Sequence, residues 1–345
     1  MTAQTRSLLS SLLKAVFGLT VIGLFIYSGK LDIGELKQAL QRLEFVAPIV
    51  LLFITQILIQ TLRWKLLLRG QGIHLSYLKS LQLTYIGLFF NTVIPGSVTG
   101  DIVKGYYAVK ARPDHGKTAA FAAILLDRIV GVSGLLGLSV GALFFFYPMI
   151  LANPKLISIA VFLAGLFLSM VLFFAVVFLD RKDIVRRPFA ALVNVCRPEP
   201  ARGTIPVLGK RFLHRGASLV LKVYDAVCRY RHHKTLFAAS FLISVTGHLA
   251  TILNFTLSAA ALGYTSINAA YFFFLTPIGL LTTAIPISPA GIGVAQGAFA
   301  LLFATINAAK AGINIISMCQ VIQISVFLLG IFFWLGNRDR KQIPA

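Results

Sequence analysis

Apolar residues fall into runs of about 20 at roughly 8–28, 44–62, 117–148, 156–179, 235–261 and 311–335. That is the length a helix needs to cross about 30 Å of hydrocarbon at about 1.5 Å per residue, so six full spans are expected. Two further apolar regions, 80–110 and 269–308, are each split by a Pro/Gly cluster into two arms of about 14 to 17 residues, short for a crossing. The first cluster, from Asn91 to Lys104, holds Pro95, Gly96, Ser97, Thr99, Gly100 and Asp101. Irregular backbone at membrane depth persists only where protein buries it or where it lines a cavity. The pattern predicts an all-α polytopic membrane protein: one integral membrane domain over 1–345, with about six full spans and two Pro/Gly-broken re-entrant hairpins.

Composition agrees, with 57% hydrophobic and 12% charged residues, 28 Phe and a mean hydropathy of +0.84. The net charge of +21 would suggest nucleic acid, but 13 Lys and Arg against three acids lie between Arg181 and Lys234, in one loop between apolar runs. Such a loop marks the cytoplasmic side, and no nucleic-acid partner is expected. Within it, residues 211–231 alternate apolar and basic positions at helical spacing, which suits anionic headgroups or an ordinary positive-inside loop. Cys196, Cys228 and Cys319 have no metal-like spacing, and no metal or cofactor is implied. The run 8–28 lacks a small-residue cleavage signal and reads as a retained anchor helix. Residues 31–44 place Ile33, Leu36, Leu40 and Leu43 on one face, as in an interfacial helix.

Loop charges set the topology. The connections 63–79 and 104–117 carry four Lys or Arg each and read cytoplasmic, whereas 149–155, 262–268 and 308–311 carry one, none and one and read external. Region 80–110 therefore leaves and re-enters the cytoplasmic face, and region 269–308 does the same on the opposite face. Units 44–148 and 235–335 form an inverted repeat, with breaks in corresponding places, and such breaks point to a transport site near the midplane. Both termini and the loop 181–234 are expected in the cytoplasm.

Only Asp101 and Asp127 of the 11 acidic residues map to membrane depth, where a carboxylate is costly and needs a partner. Neighbours on a helix do not face one another, so Asp127 and Arg128 each pair elsewhere, and Asp101 with Arg128 is the expected cross-pair. In both hairpins the returning arm starts just after the break, aiming a helix N-terminus at the bilayer centre, where N–H groups favour an anion. Ser97, Thr99 and Ser288 suit caps, and Gly96, Gly100, Gly291 and Gly293 allow close backbone approach. With Lys104 and Arg128, the pathway residues are Asn91, Pro95, Gly96, Ser97, Thr99, Gly100, Asp101, Lys104, Asp127, Arg128, Pro286, Ser288, Gly291, Gly293 and Gln296. The same caps and charges could serve only to satisfy backbone and pin hairpin to helix. His248 reads as a packing histidine, Gln320 and Gln323 as pathway lining or helix cross-links, and Arg63-Trp64 as a membrane-edge anchor. No Walker loop, nucleophile elbow or His-Glu-x-x-His occurs, and no catalytic residues are assigned.

These motifs resemble a known family. Asn91, Pro95-Gly96, Gly100-Asp101 and Lys104, then Leu125-Leu126-Asp127-Arg128, then Pro286 and Gly291-Ile292-Gly293, with Arg63-Trp64 upstream, are similar to the membrane region of lysylphosphatidylglycerol synthases and to stand-alone flippase-like proteins related to it. The resemblance covers nearly the whole chain and implies a bacterial or archaeal inner-membrane protein that moves lipids between leaflets. The synthases' aminoacyl transfer belongs to a soluble domain that does not appear in this sequence, so lysyl transfer is not expected. Two positions depart from the family pattern: Asp127 and Gln296 stand where Glu is frequent, and Gln296 removes a charge that a two-carboxylate scheme would use. The leading expectation is a translocator of an anionic, phosphate-bearing lipid. In it Asp101 and Asp127 gate or couple, and Lys104 and Arg128 neutralise phosphate. A lipid-modifying membrane transferase or its accessory subunit, and a small-solute or ion transporter, stay open as alternatives. A lipid-modifying enzyme would be the natural protein partner.

Overall fold

A computed structural model describes residues 16, 20, 22–27, 30–94, 99–111, 116–179, 186–195, 206–283 and 288–339. Among these the chain is helical, with no strand. The expected anchor helix 8–28 lies mostly outside the described residues, although 22–27 are helical. Among the described residues five helical stretches are long and apolar enough to cross a membrane: Leu43–Gly70, Ala119–Leu151, Pro154–Leu179, Lys234–Ala261 and Ala309–Gly336.

In chain order, α1 is Ile33–Gln41, α2 Leu43–Gly70, α3 Tyr77–Val93, α4 Thr99–Ala111, α5 Gly116–Leu151 and α6 Pro154–Leu179. Then come α7 Arg186–Val195, α8 Pro206–Cys228, α9 Lys234–Ala261, α10 Phe272–Thr283, α11 Val294–Ala304, α12 Ala309–Leu328 and α13 Gly330–Asp339. The last span is thus two helices joined at Leu329, with Gly330 against α3: a Cβ there would lie 2.2 Å from the Tyr85 carbonyl oxygen. Phe333 of α13 stacks on Tyr85 at 5.0 Å between ring centroids, fastening the C-terminal helix to the first hairpin.

At the centre α2 and α9 lie side by side, and α5 packs against both. α12 also runs through the core, with every residue from Ala311 to Gln320 buried. α6 is the most apolar span and among the least covered, with large side chains such as Val161, Phe162 and Leu172 exposed, as a lipid-facing helix requires. Inside the basic loop α7 and α8 pack together, and Tyr224, Val227 and Tyr230 tuck under α2 and α5 beside Leu67 and Leu126.

α1 starts at Asp32, whose side chain accepts from the Glu35 backbone N–H at 3.0 Å, a standard N-cap. Its inward face is Leu36, Ala39 and Leu40; Ile33 and Leu43, expected on that face, are exposed. The helix ends at Gln41, so Leu43 belongs to the first turn of α2 and does not continue the face. Glu35 ties it to the far half of the molecule, accepting from Lys310 Nζ at 2.7 Å, Tyr264 Oη at 2.8 Å and Asn314 Nδ2 at 2.8 Å. Partial burial alone would raise the Glu35 carboxyl, but the Lys310 and Tyr264 bonds hold it below the ordinary value of 4.5.

Candidate functional site

Both Pro/Gly-broken regions fold as helical hairpins, α3 with α4 and α10 with α11. The first closes on glycine: a Cβ on Gly100 would fall 1.8 Å from the Gly87 carbonyl oxygen, so α3 and α4 touch backbone to backbone. Asn91 Oδ1 accepts from the Gly100 N–H at 2.7 Å. The second closes on side-chain amides. Gln296 Oε1 accepts from the Gly293 N–H at 2.7 Å, Gln296 Nε2 donates to Gln320 Oε1 at 2.7 Å, and Gln320 Nε2 donates to the Ala290 carbonyl at 3.2 Å. This bracket holds Ala290 in the left-handed region at φ 50, where a residue with a Cβ rarely sits. α3 of the first hairpin meets the turn Pro289–Gly291 of the second.

Between the two hairpins, α2, α5, α9 and α12 lies a cavity of about 390 Å³. Of the residues singled out from the sequence, Asn91, Asp101, Lys104, Asp127, Arg128, Ser288 and Gly291 line it, from both halves of the chain, as do Gln320 and Gln323. Pro95, Gly96, Ser97 and Pro286 lie outside the described residues. Gly100, Gly293 and Gln296 sit behind the wall as tip fasteners, and Thr99 opens α4 without lining the cavity. One N–H at each returning helix is therefore already satisfied within the protein, by Asn91 at Gly100 and by Gln296 at Gly293.

The charged groups divide into two sets. Deep in the wall, Arg63 Nε donates to Asp127 Oδ1 at 2.8 Å, and Lys104 Nζ stands 3.9 Å from Asp127 Oδ2. Lys104 also lies over the Trp64 ring, 3.9 Å from its centroid, and Arg63 NH1 donates to Ser244 Oγ at 3.0 Å. All three charged side chains are no more than 10% exposed. Farther out, Arg128 Nε donates to Asp101 Oδ2 at 2.7 Å, the cross-pair expected from the sequence. Among the described residues, three cations thus face two carboxylates around one cavity.

Arg63 and Trp64 are the main correction. Rather than anchoring at the membrane edge, they are buried, because α2 runs on through Gly70 instead of ending with the apolar run at 62. The connection to α3 is 71–76, so Arg63, Lys65 and Arg69 are helical residues rather than loop charges. The sequence held the signal: Leu66-Leu67-Leu68 resumes the apolar run beyond Arg63, and Asp127 lacked an assigned cation. His248, a packing histidine by its sequence context, does hydrogen-bond the Gly131 carbonyl through Nε2 at 2.9 Å, yet it also lines the cavity. Thr84, buried beside them, lacked any distinguishing sequence pattern.

Residues 11–330 match the family described as Lysylphosphatidylglycerol synthase TM region. The chain belongs to that family. A similar protein is UPF0104 membrane protein PH1989 of Pyrococcus horikoshii, 26% identical over 118 residues, which are 34% of this chain and 35% of that one. The match therefore spans about a third of the archaeal relative's length. No solved structure matches the chain. The family match takes in both hairpins and all of the charged residues around the cavity, as the resemblance in the motifs implied.

Proposed function

We propose that this chain is a lipid translocator that carries an anionic, phosphate-bearing lipid between the leaflets of a bacterial or archaeal inner membrane. One observation carries it: Arg63 and Lys104 are buried beside a single carboxylate, Asp127, and the other cation at the cavity, Arg128, is matched by Asp101. Buried charge is costly unless compensated. The remaining positive charge beside an open cavity selects an anion. A cavity of about 390 Å³ lies at the small end of the range for ligand sites, about 300–1,000 Å³. It suits a headgroup, leaving two acyl chains in lipid. Ser288 and Thr84 add hydroxyls, one from each half.

In this proposal the hairpins are re-entrant and the units 44–148 and 235–335 are inverted copies. Support comes from α10 and α11, with 12 and 11 residues, which reach only about 18 Å each, against about 30 Å of hydrocarbon. The corresponding spans α2 and α9 are also of equal length, 28 residues each, and pack on one another. The loop 181–234 and both termini are assigned to the cytoplasm on their Lys and Arg content.

The test is leaflet exchange in proteoliposomes holding the full chain with a trace of fluorescent phosphatidic acid or, in parallel, fluorescent phosphatidylcholine. Lys104→Met leaves Asp127 paired with Arg63 and removes the excess charge. Exchange of phosphatidic acid should fall about tenfold or more, the scale of one lost charge-assisted contact, while the variant stays folded. Wild-type exchange that does not distinguish the two lipids, or that is unchanged in Lys104→Met, would overturn the proposal.

A further inference from the structure

The Arg128–Asp101 pair differs from the buried charges in exposure and in geometry. Arg128 is 47% exposed, against 9% for Arg63, while its partner Asp101 is only 15% exposed, so the guanidinium is the accessible side of this pair. Arg128 Nε and one of its terminal nitrogens both reach the same atom, Asp101 Oδ2. A guanidinium fork is best matched by two oxygens side by side, and here Asp101 presents one. Asp101 also stands in the first turn of α4, where the partial positive charge of the helix end favours an anion whether or not Arg128 is near. By contrast Asp127 is held by two cations, and those cations by Ser244 and the Trp64 ring. A pair buried on both sides is costly to open, and Arg128, half exposed, is the cation here that a ligand can reach. The outer pair is the one that can exchange.

We propose that Asp101 is an internal stand-in for the lipid phosphate. At rest its carboxylate occupies Arg128 at the cavity. An arriving phosphate, with two oxygens to offer, takes Arg128 over, and Asp101 returns to the guanidinium when the headgroup leaves. Arg128 is then the residue that meets the headgroup, and Asp101 is a competing residue that keeps binding loose enough for release. This rests on the translocation proposal and adds a sign to it: removing the Asp101 charge strengthens binding, whereas a carboxylate that only pins α4 to α5 would leave it unchanged or weaken it.

Binding of fluorescent phosphatidic acid to the purified full chain in phosphatidylcholine nanodiscs separates these cases. Asp101→Asn should bind about tenfold tighter, the scale of one charge-assisted hydrogen bond, with slower leaflet exchange because release loses its competitor. Arg128→Ala should lose the preference for phosphatidic acid over fluorescent phosphatidylcholine. Equal or weaker binding by a folded Asp101→Asn variant would overturn the stand-in role. The translocation proposal would survive that result, since it stands or falls with Lys104→Met. If the Asn variant does not fold, Asp101→Glu decides. It keeps the charge on a longer arm that can present both oxygens to the guanidinium, so it must bind phosphatidic acid more weakly than wild type, and equal or tighter binding refutes the role.

Discussion

Asp127 sits between Arg63 at 2.8 Å and Lys104 at 3.9 Å, and it is what makes two buried cations tolerable. Removing one partner of a buried ion pair leaves the other charge without compensation, at a cost of about 3–5 kcal/mol. Asp127→Asn should therefore lower stability by about that much, read from thermal unfolding in detergent, and Asp127→Glu should restore most of it. Arg128→Ala, which removes a half-exposed guanidinium from Asp101, should cost less than that. Equal losses in the two variants would mean that burial does not separate the two sets of charge. The contrast also explains what could be seen in the sequence here. A carboxylate in an apolar run identifies itself, so Asp101 and Asp127 were legible, and their pairing rules led to Arg128. Arg63 was not, because a cation at the end of an apolar run looks the same whether the helix stops there or continues.

At the scale of elements, the first hairpin depends on the contact of Gly87 with Gly100. A Cβ at Gly100 would lie 1.8 Å from a backbone oxygen, which cannot swing aside as a side chain could. Forcing atoms into a well-packed contact costs about 1–3 kcal/mol or more. Gly100→Ala should thus splay α4 from α3, lowering the unfolding temperature and moving Asp101 away from Arg128. Gly297→Ala in α11, where nothing lies within 4 Å of the added atom, serves as the control and should be neutral or slightly stabilising. An unfolding temperature for Gly100→Ala equal to that of Gly297→Ala would show that the close approach does not hold the hairpin. Both breaks and the helical arms around them were legible, since Pro and Gly interrupt apolar runs for stated backbone reasons. How each tip is fastened was not: Asn91 to Gly100 is a local bond, but the bracket Gln296–Gln320–Ala290 joins residues up to 30 apart in the chain. Nothing in apolar periodicity encodes which amides meet.

At the scale of the molecule, the proposal requires the two halves to cross the membrane in opposite senses. α2 and α9 are 28 residues each, about 42 Å, enough to reach across the bilayer into both headgroup layers. In an inverted pair the chain must leave these two helices on opposite faces, α2 into the connection 71–76 and α9 into 262–268. Both connections offer an exposed position, His74 in the first and Ser266 in the second. In a background with Cys196, Cys228 and Cys319 replaced by Ser, a membrane-impermeant maleimide should label His74→Cys only in inside-out vesicles. It should label Ser266→Cys only in right-side-out vesicles or cells. The charge pattern gives the absolute sense, because the strongly basic loop 181–234 is held inside, and the internal comparison gives the relative one. Labelling of both positions from the same side would remove the inverted repeat. The two hairpins would then enter from one face, and a single cavity between their tips could not be offered to the two leaflets in turn.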